Sequence, residues 1–122
     1  SLMNRGFIYA IAHTRGGNEK GFKWYRDGKL EKKHHTFSDF ISVATMLVEK
    51  NYGTAGNIAA HGGSAGGMLM GAIANMCPDL WKAIVAEVPF VDVLTTMLDE
   101  KIPLTTFEYD EWGNPSELEA YH

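Results

Sequence analysis

The chain has 122 residues, 45% hydrophobic and 21% charged, with a formal net charge of −4. That is the usage of one soluble globular domain with a modest core. The negative balance excludes a broad basic field for nucleic acid or an anionic membrane, and no apolar run approaches the roughly 20 residues of a membrane span. A single cysteine, Cys77, excludes an intramolecular disulfide and a thiolate cluster for a metal. It reads as a buried structural thiol at a helix end and suits a reducing, cytoplasmic compartment. The opening SLMNRGFIYA carries no secretory pattern. The chain begins almost directly on a strand, an unusual place for a natural protein to start.

Residues 7–12 (FIYAIA) are a continuous apolar run with β-branched and aromatic members, fitting a strand buried on both faces of a parallel sheet. HTRGGNEKG follows as a loop, and the basic stretch KLEKKHH at 29–35 reads as a solvated loop face. Thr36 stands as a helix N-cap with Asp39 in the capping-box position. Phe37, Phe40, Ile41, Ala44, Leu47 and Val48 recur at helical spacing, which predicts an amphipathic helix over 37–50, stopped by NYG. NIAAH at 57–61 is a second short strand. MLMGAIANM is a helix rich in small residues that ends before Pro78, and AIVAEV at 83–88 is a third buried strand closed by Pro89. Asn114 as cap and Pro115 in the first turn signal one more helix. Strand, helix, strand, helix, strand predicts an α/β fold with three parallel strands and flanking helices.

Residues 61–67 read HGGSAGG at a strand-to-helix joint, where a flexible linker does not belong. A phosphate loop needs G-x-x-x-x-G-K-[ST] or G-x-G-x-x-G, and neither register fits. G-x-S-x-G does fit, as Gly62, Ser64 and Gly66. A serine on such a turn sits in strained backbone, so its flanks are small. Its hydroxyl projects above the sheet, and the helix beginning at Ala65 points free N–H groups into the same space. The Ala65 N–H is then placed to bind an oxyanion. The alternative is a purely structural glycine turn. HGG at 61–63 looks like a lipase oxyanion motif, but that motif belongs on an earlier loop.

A nucleophilic serine needs a base and an orienting acid, in the chain order Ser, Asp or Glu, His. After Ser64 the only histidine is His122. His13, His34, His35 and His61 all precede it, His61 reading as turned into the sheet, and their spacing makes no metal site. The base is missing from the pattern.

The blocks AHTRGGNEKG, TFSDFISVA, HGGSAGGMLMGA, NMCPDLWKAIVAEVPFVDV and IPLTTFEYDEWGNP together resemble the oligopeptidase B branch of the prolyl oligopeptidase family, over essentially the whole chain. GGSAGG, PFVDVLTTMLD and EWGNP separate it from the general α/β-hydrolase pattern. The resemblance implies a serine peptidase whose α/β-hydrolase catalytic domain is capped by a β-propeller. It implies cleavage of short peptides after Arg or Lys through an acyl-enzyme, without cofactor or metal. Carried over, Ser64 is the nucleophile and the Ala65 N–H is half of the oxyanion hole. Glu108 and Asp110 in FEYDEWG fall on the acidic pair for the basic side chain, with alternate spacing placing both carboxylates on one side of an extended segment. Asp110 stands where glutamate is usual and Phe107 where glycine is common; the shorter Asp arm weakens the second contact more than the first. Without the resemblance the segment reads as an acidic surface loop.

The resemblance also implies that the tyrosine completing the oxyanion hole, and a strand between those at 7–12 and 57–61, precede residue 1. The triad Asp and His would follow residue 122. Residues 1–122 are then the central part of a catalytic domain, inactive alone and self-associating through unpaired edges and apolar faces. Two rivals stand beside this reading: an esterase or acylaminoacyl-peptidase of the same fold, and a non-catalytic associating remnant.

Overall fold

A computed structural model describes residues 1–121. In chain order it forms a short helix α1 (Phe22–Arg26), a long helix α2 (His34–Glu49), strand β1 (Ile58–Gly63), helix α3 (Ala65–Met76) and strand β2 (Trp81–Glu87). Three short helices follow: α4 (Val93–Met97), α5 (Tyr109–Trp112) and α6 (Leu118–Tyr121). The two strands pair in parallel, with Ala60 opposite Ile84 and Gly63 opposite Glu87. Parallel pairing demands a crossover, and α3 supplies it while packing on both strands.

The core lies where α2, α3 and the sheet meet. Ala44, Ala60, Leu69, Met70, Ile73, Leu80 and Trp81 are buried there, with Phe37, Phe40, Ile41 and Val48 packed against them. These α2 residues are the apolar stripe of the predicted amphipathic helix. Ile73 and Met70 are fully enclosed, and each such side chain contributes about 1.5–3 kcal/mol by leaving water. Trp81 donates its indole N–H to the Ile73 carbonyl at 3.2 Å, so its polar end is satisfied inside. Asn51, in left-handed backbone at φ 60, ends α2; the Tyr52 N–H reaches back to the Leu47 carbonyl at 2.9 Å.

Several expectations are corrected. The sheet has two strands, not three: residues 7–12 form no strand, and Phe7, Ile8, Tyr9 and Ile11 are each more than half exposed. A strand exists through its ladder, and no described strand lies beside this run to provide one. The long helix starts at His34, capped by Lys33 without a side-chain bond, so Thr36 and Asp39 are not its capping box. Thr36 instead donates its hydroxyl to the Arg15 carbonyl at 2.7 Å. Asp39 takes Arg15 as a fork, accepting from Nε at 2.8 Å and Nη2 at 2.6 Å, and also accepts the Arg15 backbone N–H at 2.9 Å. A bidentate charged pair outweighs a neutral cap. Glycine-rich helix α3 begins at Ala65, where the free N–H groups were expected. Near the end, Asn114 accepts the Ser116 N–H in a local turn, and the last helix starts only at Leu118. Cys77 is half-buried against the core at the end of α3.

The Arg15 side-chain hydrogen bonds hold the Asp39 carboxyl below its usual range, with the backbone N–H assisting. A depressed folded pKa contributes stability above the unfolded value of about 3.9, lost as pH falls through the folded pKa. Asp39→Asn is therefore expected to cost about 2 kcal/mol at neutral pH. In urea melts the gap between the two proteins should narrow below about pH 4; a gap independent of pH would show that the charge is irrelevant.

Candidate active site

β1 ends at Gly63, α3 begins at Ala65, and Ser64 alone makes the turn. Its backbone sits at φ 54, ψ −118, a region that residues with a side chain rarely occupy and that costs of order 1–3 kcal/mol. Hydrogen bonds to the end of β2 and beyond hold it there. The Ser64 N–H donates to the Glu87 carbonyl at 3.0 Å, while the Ser64 carbonyl accepts from Phe90 N–H and Gly67 N–H, both at 2.9 Å. Two glycines are required by close approach. A Cβ on Gly62 would fall against the Gly66 carbonyl, and one on Gly67 would fall against Pro89.

Ser64 makes no side-chain cap bond to α3, so its hydroxyl is not consumed in ending the helix. Ser64 and Ala65 are both exposed. Ala65 is the first residue of α3, where N–H groups lack an intrahelical acceptor. An exposed hydroxyl beside a free helix N–H can attack a carbonyl and receive the oxyanion that forms.

No described histidine hydrogen-bonds Ser64. His34 and His35 are engaged with the Glu31 and Asp27 carbonyls at 3.0 and 2.7 Å, and His13 lies 3.5 Å from Glu19. His61, expected to turn into the sheet, is instead 60% exposed with Nε2 at 3.3 Å from Glu87 Oε2, because no described element covers that part of β1. His122 lies outside the described residues.

The acidic segment is helical, which corrects the extended reading. Glu108 is the N-cap of α5 and Asp110 lies within it. Two positions along a helix turn about 200°, so these side chains leave on different sides. Glu108 Oε2 accepts the Trp112 indole N–H at 3.0 Å. Asp110 pairs with Lys29 at 2.5 Å and Glu111 with Lys33 at 2.7 Å. Lys33 Nζ also stands 4.4 Å from the Trp112 ring centre. Within the stretch 29–35, Lys29 and Lys33 are therefore the seat of α5 rather than a solvated face, while Leu30, Glu31, Lys32 and His34 are exposed as expected. Burial, and then the neighbouring Glu111 carboxylate, push the Tyr25 hydroxyl up to about 12. Trp112 packs edge-on against Phe90 at 5.1 Å, and Phe90 is the residue whose N–H holds Ser64. One continuous contact path thus runs from the serine turn to the acidic helix.

Sequence reasoning missed Lys29, Lys33, Trp112 and Phe90. The opposite charges of KLEKKHH and EYDE were the available signal. Among the described residues no group of three His, Cys, Asp or Glu side chains could hold a metal, and no helix is long and apolar enough to cross a membrane.

A strained, exposed serine between a parallel strand and its crossover helix has the backbone arrangement of a nucleophile elbow in the α/β-hydrolase class. The chain belongs to the prolyl oligopeptidase family, which it matches over residues 1–122. It is 60% identical over 121 residues to dipeptidyl aminopeptidase BI of Pseudoxanthomonas mexicana, covering 99% of this chain and 17% of that protein. Oligopeptidase B from Leishmania major superposes with a TM-score of 0.87 at 56% identity, covering 97% of this chain and 16% of that one. Oligopeptidase B from Trypanosoma brucei, with covalently bound antipain in a closed form, gives 0.85 at 52% identity, over 93% and 16%. The chain therefore spans about a sixth of the length of the relatives it matches.

Proposed function

We propose that these residues are the central part of the catalytic domain of a serine oligopeptidase that cleaves short peptides after Arg or Lys. Ser64 Oγ attacks the carbonyl carbon, and a histidine outside residues 1–122 takes the hydroxyl proton and gives it to the leaving amine. The Ala65 N–H, with a second donor from elsewhere in the domain, binds the oxyanion. Water then resolves the acyl-enzyme. Of the acidic pair Glu108 and Asp110, Glu108 supplies the main carboxylate for the basic side chain and Asp110 a weaker one, since the two leave α5 on different sides. The observation that carries the reading is Ser64 itself, strained at φ 54 and exposed beside the start of α3. The lone Cys77 is in keeping with a reducing, cytoplasmic setting.

The test is hydrolysis by the full-length enzyme of amino-blocked arginyl, lysyl and citrullyl peptides of one sequence. Cleavage of the first two and neglect of the third supports the reading; equal rates on all three overturn it in favour of an esterase or acylaminoacyl-peptidase. The relative named as a dipeptidyl aminopeptidase favours a second reading, dipeptide release from a free amino terminus. An enzyme restricted to that reaction would leave every blocked peptide intact.

The 122-residue chain alone is proposed to be inactive and to self-associate. Phe7, Ile8, Tyr9 and Ile11 are exposed together, and exposed apolar runs drive association. Light scattering of the isolated chain should give a mass above 13.5 kDa; a clean monomer overturns that proposal.

A further inference from the structure

The ion pair between Lys29 and Asp110 is lopsided. The lysine side chain is 14% exposed and the aspartate 78%. Lys29 is packed in place, with Nζ 5.2 Å from the Tyr25 ring centre, while Asp110 reaches down to it from the solvent side of α5. Glu111 is held by Lys33, both side chains about one-fifth exposed. Of the three carboxylates at 108, 110 and 111, two thus carry a lysine. Glu108 has the Trp112 indole as its partner, and no described cation lies within ion-pair distance of it.

A guanidinium or ammonium arriving at Asp110 must share that carboxylate with a lysine of its own sign. At Glu108 it meets a carboxylate with no lysine on it, oriented by a neutral donor. We propose that Lys29 is a positioning residue for specificity: it occupies Asp110, so that Glu108 takes the basic side chain of the substrate. Lys33, through Glu111 and Trp112, keeps α5 seated. This rests on the reading of residues 108 and 110 as the basic-side-chain site.

The full-length enzyme is assayed on a blocked arginyl aminomethylcoumarin peptide and its citrullyl twin, with KM and kcat read separately. Lys29→Met frees an exposed second carboxylate and should lower KM for the arginyl peptide about 3-fold at constant kcat, the scale of an exposed ion pair. Lys29→Arg should keep the parent KM, and adding Asp110→Asn to Lys29→Met should erase the gain. A KM unchanged or raised by Lys29→Met, or a gain that survives Asp110→Asn, overturns the proposal. Should Lys29→Met fail to fold, the single carboxylate variants decide. Glu108→Gln should raise KM about 30-fold and Asp110→Asn less than about 3-fold; equal effects overturn the assignment. Equal cleavage of arginyl and citrullyl peptides by the parent enzyme overturns the site reading itself, and the role of Lys29 with it. Retained arginyl preference with no response to Lys29→Met overturns the role of Lys29 alone.

Discussion

Ser64→Ala in the full-length enzyme is expected to lower kcat/KM by about 10⁵- to 10⁶-fold, leaving only what binding and the oxyanion donors supply. A fluorophosphonate adduct, read by intact mass, should vanish with it. The size follows from the site's geometry. Ser64 carries the hydroxyl at the head of α3, and no neighbouring serine or threonine occupies the turn HGGSAGG. Stability should hardly move, because the turn is fastened through the Ser64 backbone N–H and carbonyl, and its side chain caps nothing. Alanine meets the same backbone penalty as serine at that φ, so the melting temperature separates lost chemistry from lost structure. A loss below about 10-fold, or an adduct that persists, would place the nucleophile elsewhere.

The second large effect concerns selection rather than chemistry. Glu108→Gln combined with Asp110→Asn should cut the arginyl-over-citrullyl ratio of kcat/KM by about 100-fold, with the citrullyl rate nearly constant. A half-buried, charge-assisted hydrogen bond to Glu108 is worth about 1.5–3 kcal/mol. The exposed Asp110 adds about 1 kcal/mol or less, and the sum is close to two decades. Both substitutions keep the side-chain shape, so the Trp112 indole retains an acceptor at position 108 and the Lys33–Glu111 pair still seats α5. A ratio untouched by the double substitution would mean that the basic side chain is read by other residues.

Much of this was legible in the chain because it is written locally. The stripe from Phe37 to Val48 states its own helix, and G-x-S-x-G between a strand and a small-residue helix states its own turn. What was misread depends on partners distant in sequence. The apolar run at 7–12 has strand chemistry, yet a strand needs a neighbour to bond with, and the described chain offers none. Thr36 and Asp39 have the spacing of a capping box, but Arg15 presents a fork that a carboxylate prefers. Glu108 and Asp110 alternate as strand residues would, while Lys29 and Lys33 sit where one helical turn suits them better. Short polar segments have little preference of their own, and their conformation follows their ion pairs. The serine's place was therefore readable at once, whereas the geometry of the acidic pair required the fold.

The seat of α5 also has a consequence in time. A four-residue helix cannot persist by itself, and the lysines that hold it are 81 and 78 residues away along the chain. Closing so long a loop must precede the contacts that reward it. The serine turn, by contrast, is fixed by bonds to residues 67, 87 and 90, all within thirty positions. During synthesis the turn can be assembled before the acidic helix docks on the early lysines. The serine turn is thus built from near neighbours, and the seating of the acidic helix is the later acquisition of each folding molecule.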